Sequence, residues 1–151
     1  VYMREVLSHE LARAARNGSS IGITWLDLDG LKQINDMLGH EAGDDALVQF
    51  SLLLRRCVRN ADLLFRVGGD EFVVLLPETG RESAKTVIPK LCERLSEEMT
   101  ENQWPVTLSV AVVTFLRVPP EAPVMIKTAE KLMRTVKNGG RNAVRYAAYN
   151  G

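Results

Sequence analysis

The segment Arg66-Val67-Gly68-Gly69-Asp70-Glu71-Phe72-Val73-Val74-Leu75-Leu76-Pro77 constrains this chain more than any other. Strand-like runs at residues 61–67 and 71–76 flank a Gly-Gly-Asp-Glu turn, which predicts an antiparallel hairpin. One glycine would supply the positive φ that most tight hairpin turns need. The second removes a side chain that would keep a ligand off the backbone. Two adjacent carboxylates, Asp70 and Glu71, can hold a hard cation through oxygen. A solvated acidic turn is the plainer alternative, and the turn taken alone does not exclude it.

The rest of the chain alternates helical and strand-like patterns. Val6, Leu7, Leu11 and Ala14 predict a helix over residues 1–16, stopped at Asn17-Gly18. Residues 21–28 form a β-branched and aromatic run, read as a central strand. A short helix through Leu31, Ile34 and Leu38 stops at Gly39, and a longer one covers 41–58. Residues 81–99 read as a helix with a kink at Pro89, and 104–116 as a strand region broken by Pro119-Pro120. A last helix over 122–137 is entered through Pro123, and 142–147 forms a final strand. Helices alternating with strands around an antiparallel hairpin give an α/β or α+β sandwich, helices on both faces of a mixed central sheet.

Composition narrows the function classes. The formal net charge is zero, so no global field draws in nucleic acid or an acidic membrane surface. Neither partner is expected, and any polyanion site must be a local cluster of cations. Cys57 and Cys92 lack metal-ligand spacing and read as reduced helix residues, which fits a cytoplasmic compartment. No apolar run approaches membrane-spanning length and no signal peptide opens the chain. Residues 1–151 are read as a single domain, an N-terminally truncated piece of a longer regulatory protein that could carry its own membrane anchor.

The central strand runs into Asp27-Leu28-Asp29. Carboxylates at a buried strand end need a cation or hydrogen bonds. If the hairpin lies alongside, Asp27 and Asp70 converge, and two carboxylates with a backbone carbonyl suit Mg²⁺ or Mn²⁺. The alternative makes Asp27 or Asp29 the N-cap of the next helix. Gly30 and Leu31 open that helix, where backbone N–H groups can receive phosphate oxygens, and Lys32 adds a point charge. Asn35 and Asp44 sit on separate elements and could pinch a ring edge or cap helices. His40 reads as a packed or capping histidine.

Asp27-Leu28-Asp29-Gly30-Leu31-Lys32-Gln33-Ile34-Asn35-Asp36, then Gly39-His40 and Gly43-Asp44, then Gly68-Gly69-Asp70-Glu71-Phe72, then Lys137-Asn138-Gly139-Gly140-Arg141-Asn142, together resemble the signatures of GGDEF-family diguanylate cyclases. The likeness runs from about Leu7 to Arg145. Leu31 stands where Phe is usual, Arg134 for Tyr, Glu130 for Asp, and Ala111 where Ser-x-Gly is usual. The family's Leu-Thr-Gly-Leu turn ahead of the first helix is missing.

The resemblance implies a five-stranded sheet like that of nucleotidyl cyclase cores and polymerase palms. It also implies condensation of two GTP molecules into cyclic di-GMP by a homodimer, with release of pyrophosphate. It assigns the metal to Asp27, the Leu28 carbonyl, Asp70 and Glu71, and catalysis to Asp70, Glu71 and Lys32. Phosphates and base fall to Gly30, Leu31, Lys32, Asn35, Asp44, Gly69, Lys137 and Arg141. Arg59 and Asp62 fit the family's Arg-x-x-Asp product-inhibition site. The rival readings are a GTP- or cyclic di-GMP-sensing module without turnover, and a structural dimerisation domain.

Overall fold

The computed structural model describes residues 2–119 and 121–150. Val1 of the predicted first helix and Pro120 of the Pro119-Pro120 break lie outside the described residues. Within them the chain forms five helices and five strands in the order α1 (Tyr2–Asn17), β1 (Ile21–Asp29), α2 (Leu31–Leu38), α3 (His40–Cys57), β2 (Leu63–Arg66), β3 (Glu71–Pro77), α4 (Arg81–Glu101), β4 (Thr107–Phe115), α5 (Ala122–Asn138) and β5 (Val144–Tyr149).

The strands make one sheet in the order β2-β3-β1-β4-β5. β1 runs antiparallel to both neighbours, β2 antiparallel to β3, and β4 parallel to β5. The sheet is therefore mixed, as expected, with β1 at its centre and all nine β1 residues buried. A strand covered on both faces reads as a continuous apolar run, which is why residues 21–28 were legible as central.

Alternation sorts the side chains into two cores. Leu26, Leu28, Phe72, Val74, Leu76, Val110 and Val112 pack with Phe50 and Leu54 of α3 and Ile88 and Leu95 of α4. Ile21, Ile23, Trp25, Val73, Leu75, Ala111 and Val113 pack with Leu7 and Leu11 of α1 and Met125, Ala129 and Met133 of α5. Residues 27, 29, 71 and 109 share the parity of the second set. That parity, and not their polarity, puts Asp27, Asp29, Glu71 and Ser109 on the α1/α5 side of the sheet.

Element ends shift by a few residues. β2 starts at Leu63 instead of 61, β4 at Thr107 instead of 104, and the last strand runs 144–149 instead of 142–147. Pro89 lies inside α4, which continues as one helix on both sides of it. Cys57 and Cys92 are free thiols on α3 and α4 packed against the first core. No described helix is long and apolar enough to cross a membrane.

The β1–α2 junction depends on Gly30, which has φ 90° and caps α2 with no side-chain hydrogen bond. A Cβ there would lie 2.8 Å from the Pro105 carbonyl oxygen. Gly30→Ala is therefore expected to cost about 1–3 kcal/mol through strained backbone alone, with the clash in addition. Urea unfolding of the variant beside the parent checks this.

Candidate active site

Three chain segments meet at the C-terminal end of β1. Asp27 stands opposite Glu71 of β3 and Ser109 of β4 in the sheet register. The Leu28 N–H donates to the Asp70 carbonyl at 3.0 Å, which ties the hairpin tip to the strand end. The last turn of α5 then delivers Lys137, and the turn beyond it delivers Arg141.

Asp29 is 8% exposed and has a full set of donors. Its Oδ2 accepts from Ser109 Oγ at 2.6 Å, Thr107 Oγ1 at 3.1 Å and the Asn142 N–H at 3.4 Å, while Oδ1 accepts from Arg141 at 3.1 Å. Asp27, 2% exposed, is served differently. Its Oδ2 meets Lys137 Nζ at 2.5 Å, and its Oδ1 is buried without a partner. Lys137 also reaches Glu71 Oε1 at 3.3 Å. Burial pushes the Asp27 carboxyl up, the Lys137 hydrogen bond opposes this, and the charge of Asp70 pushes it further. Burial works against the Lys137 ammonium, yet the Asp27 and Glu71 carboxylates outweigh it and raise its pKa.

Several sequence readings need correction here. Neither Asp27 nor Asp29 caps α2; Gly30 does, because β1 extends through Asp29 and turns both carboxylates onto the sheet face. Neither Gly68 nor Gly69 has a positive φ, so the paired glycines do not serve turn handedness. A Cβ at Gly68 would come within 3.0 Å of Glu71 Oε2, and one at Gly69 would meet nothing within 4 Å. Instead, the Arg66 guanidinium holds the turn by donating to the Gly68 carbonyl at 3.2 Å and the Gly69 carbonyl at 2.8 Å. His40 is exposed at the first position of α3, whose N-cap is Gly39. Two of the expected metal ligands, Asp27 and Glu71, are bridged by Lys137, and among the described residues no three His, Cys, Asp or Glu side chains form a metal cluster on side chains alone.

The predicted base-edge pair sits across the α2–α3 packing. Asn35 lies against Gly43 so closely that a Cβ there would fall 1.6 Å from Asn35 Oδ1. Asp44, the next residue, is exposed on α3, and Lys32 is exposed in the first turn of α2. Neither the Asn35 nor the Asp44 side chain caps a helix. Gly39 precedes α3, and Asn35 accepts the Gly39 N–H through its backbone carbonyl.

Arg59 and Asp62 form a closed pair away from this end. Asp62 is 1% exposed in its side chain and accepts from the Arg59 backbone N–H, Nε and Nη2, while Nη2 also donates to the buried Thr79 hydroxyl at 2.8 Å. The hydrogen bond to Asp62 raises the Arg59 pKa and outweighs burial, which lowers it.

The profile described as "Diguanylate cyclase, GGDEF domain" matches residues 1–143. This chain belongs to the GGDEF domain family. It is 31% identical over 141 residues to diguanylate cyclase DgcS of Shewanella oneidensis, covering 93% of this chain and 47% of that protein. The chain thus spans about half the length of that relative. Its structure resembles diguanylate cyclase SiaD of Pseudomonas aeruginosa, solved with its activator SiaC (TM-score 0.83, 29% identity, 97% of this chain and 57% of that one). It shares its fold with the GGDEF domain of DgcB from Caulobacter crescentus, solved in complex with c-di-GMP (TM-score 0.80, 23% identity, 94% and 86% coverage).

Sequence reasoning gave no role to Arg66, Gly43 or Thr79 and missed the anchoring role of Asp29. For Asp29 a signal existed, since residues two apart on a strand share a face with Asp27. The others depend on contacts that no spacing rule names. The Asn35–Gly43 approach has a direct consequence for this GGDEF domain. Gly43→Ala should push the Asn35 side chain aside, so its effect on stability should depend on Asn35, with a coupling to Asn35→Ala of about 0.5–3 kcal/mol. Urea unfolding of the single and double variants measures the coupling.

Proposed function

We propose that this domain condenses two molecules of GTP into cyclic di-GMP, releasing two pyrophosphates. The observation that carries the reading is Asp27, a buried carboxylate with one oxygen bare, at the strand end where the Gly-Gly-Asp-Glu turn is tied. A bare buried carboxylate oxygen costs free energy unless a cation or donor meets it, and oxygen ligands suit a hard divalent ion. The residues present fit such a group. Asp27, Asp70 and the Leu28 carbonyl, with Glu71 beside them, would hold Mg²⁺ or Mn²⁺. The ion would supply Lewis-acid stabilisation of charge at the reacting phosphate.

The chain's own groups do the positioning. The backbone N–H groups of Gly30 and Leu31 and the Lys32 ammonium receive phosphate oxygens. Lys137 and Arg141 hold the triphosphate; Arg141 spends one of its five donors on Asp29 and keeps others for phosphate. Gly69, with open space where a Cβ would be, lets the nucleotide approach the hairpin. Asn35 and Asp44 read guanine, whose N1–H and 2-amino group donate to the carboxylate. Adenine offers an acceptor at N1 instead and leaves the carboxylate unpaired. Glu71 serves as a further cation ligand or as acceptor of the 3′-hydroxyl proton. Each site holds one GTP, so two copies must face each other.

Arg59 and Asp62 form the product-inhibition site in this reading. The guanidinium is 41% exposed and already oriented by Asp62 and Thr79, which leaves a preset edge for a guanine or a phosphate.

Purified domain with GTP and Mg²⁺ should yield cyclic di-GMP by product analysis, ATP should not be converted, and Asp70→Ala should lose turnover by about 10²-fold or more. Binding of cyclic di-GMP without any turnover would mark a sensing module instead. Arg59→Ala should leave the initial rate near that of the parent and weaken inhibition by added cyclic di-GMP. Unchanged inhibition would reduce Arg59 to a structural partner of Asp62.

A further inference from the structure

The last turn of α5 and the residues just beyond it place two cations on two carboxylates, and the two contacts are built differently. Arg141 meets Asp29, whose oxygens are also served by Ser109, Thr107 and the Asn142 N–H. Removing Arg141 would leave that carboxylate well supported. Lys137 meets Asp27, for which it is the one donor among the described residues, while Asp27 Oδ1 stays bare. The same ammonium spans to Glu71. Lys137 is 28% exposed in its side chain, so solvent reaches it. Its charge is a compact point on a flexible four-carbon stem, unlike the rigid fork of arginine.

We propose that Lys137 is an exchangeable counter-ion. It holds the Asp27 and Glu71 carboxylates together and yields them to an incoming divalent cation, passing its own charge to the triphosphate that arrives with the cation. The inference rests on the cyclase reading for its metal and nucleotide. One ammonium opposes the charges of Asp27 and Glu71, with Asp70 and Asp29 close enough to Asp27 to repel it. A divalent cation brings twice the charge to the same oxygens and can use the bare Oδ1 as well. The ammonium then loses its partners and finds phosphate oxygens within the reach of its stem. No bond is made or broken; ion pairs are exchanged.

The test is nucleotide-free Mn²⁺ binding by calorimetry to the parent, Lys137→Met and Lys137→Gln. A lysine that competes with the cation predicts about tenfold tighter Mn²⁺ in both variants, the scale of one charged hydrogen bond removed from the competition. Both variants should melt below the parent without metal, and saturating Mn²⁺ should close the gap. A merely structural lysine would lower the melting temperature equally with and without Mn²⁺. A lysine that touches only phosphate would leave nucleotide-free Mn²⁺ affinity unchanged. Either result overturns the exchange. Mn²⁺ with 3′-deoxy-GTP, which cannot cyclise, separates the two layers. If the parent binds that pair while the Mn²⁺ affinities of parent and variants are equal, the exchange fails and the cyclase reading stands. If no protein binds it, the cyclase reading fails and the exchange falls with it.

Discussion

Two carboxylates at the end of a fully buried central strand are the constraint around which the domain is arranged. Asp27 and Asp29 close a strand with no exposed residue and are themselves nearly inaccessible. Such groups are tolerated only with charge and hydrogen-bond partners. The partners come from far along the chain: Ser109 and Thr107 on β4, Arg141 and the Asn142 N–H beyond α5, and Lys137 on α5 itself. A cation at a helix C-terminus is also favoured by the helix dipole. The closing turn of α5 is thus a natural place from which to serve both aspartates.

The two aspartates divide the work. Asp29 is fully satisfied and pins the segment beyond α5 to the strand end, so its role is to position. Asp27 is under-satisfied, and its one bare oxygen is a cost the fold retains. Polar groups left short of partners inside a protein are unusual enough to ask for an explanation, and the proposed cation site supplies one. The hairpin contributes by geometry: its tip is tied to β1 through Leu28 and Asp70, and its turn is held by Arg66. Because neither turn glycine is left-handed, the pair's value lies in absent side chains. Gly68 leaves room for the Glu71 carboxylate, and Gly69 leaves open space.

Much of the fold was legible because its signals are local. The β-branched run at 21–28 announced a doubly covered strand, the heptad-like spacing of Leu7, Leu11 and Ala14 announced α1, and Pro123 marked the start of α5. Boundaries slipped where a strand's end is decided by its neighbour. The last strand runs to Tyr149 because Phe115 and Thr114 of β4 continue to offer pairing there. α4 extends on both sides of Pro89, with Ile88, Leu91 and Leu95 burying one face across the proline.

The sequence by itself determined the secondary elements, the mixed sheet and the family, since hydrophobic periodicity, helix stops and motif spacing are written along the chain. It also named the residues brought together at the β1 end, Asp27, Glu71, Lys137 and Arg141. Only the tertiary structure decided how they are paired. Strand parity turned both aspartates onto the α5 face, sheet register set Glu71 opposite Asp27, and the end of α5 gave Lys137 to one carboxylate and Arg141 to the other. Which ion meets which depends on distances between residues about eighty to a hundred and ten positions apart, and a spacing rule holds no information at that range.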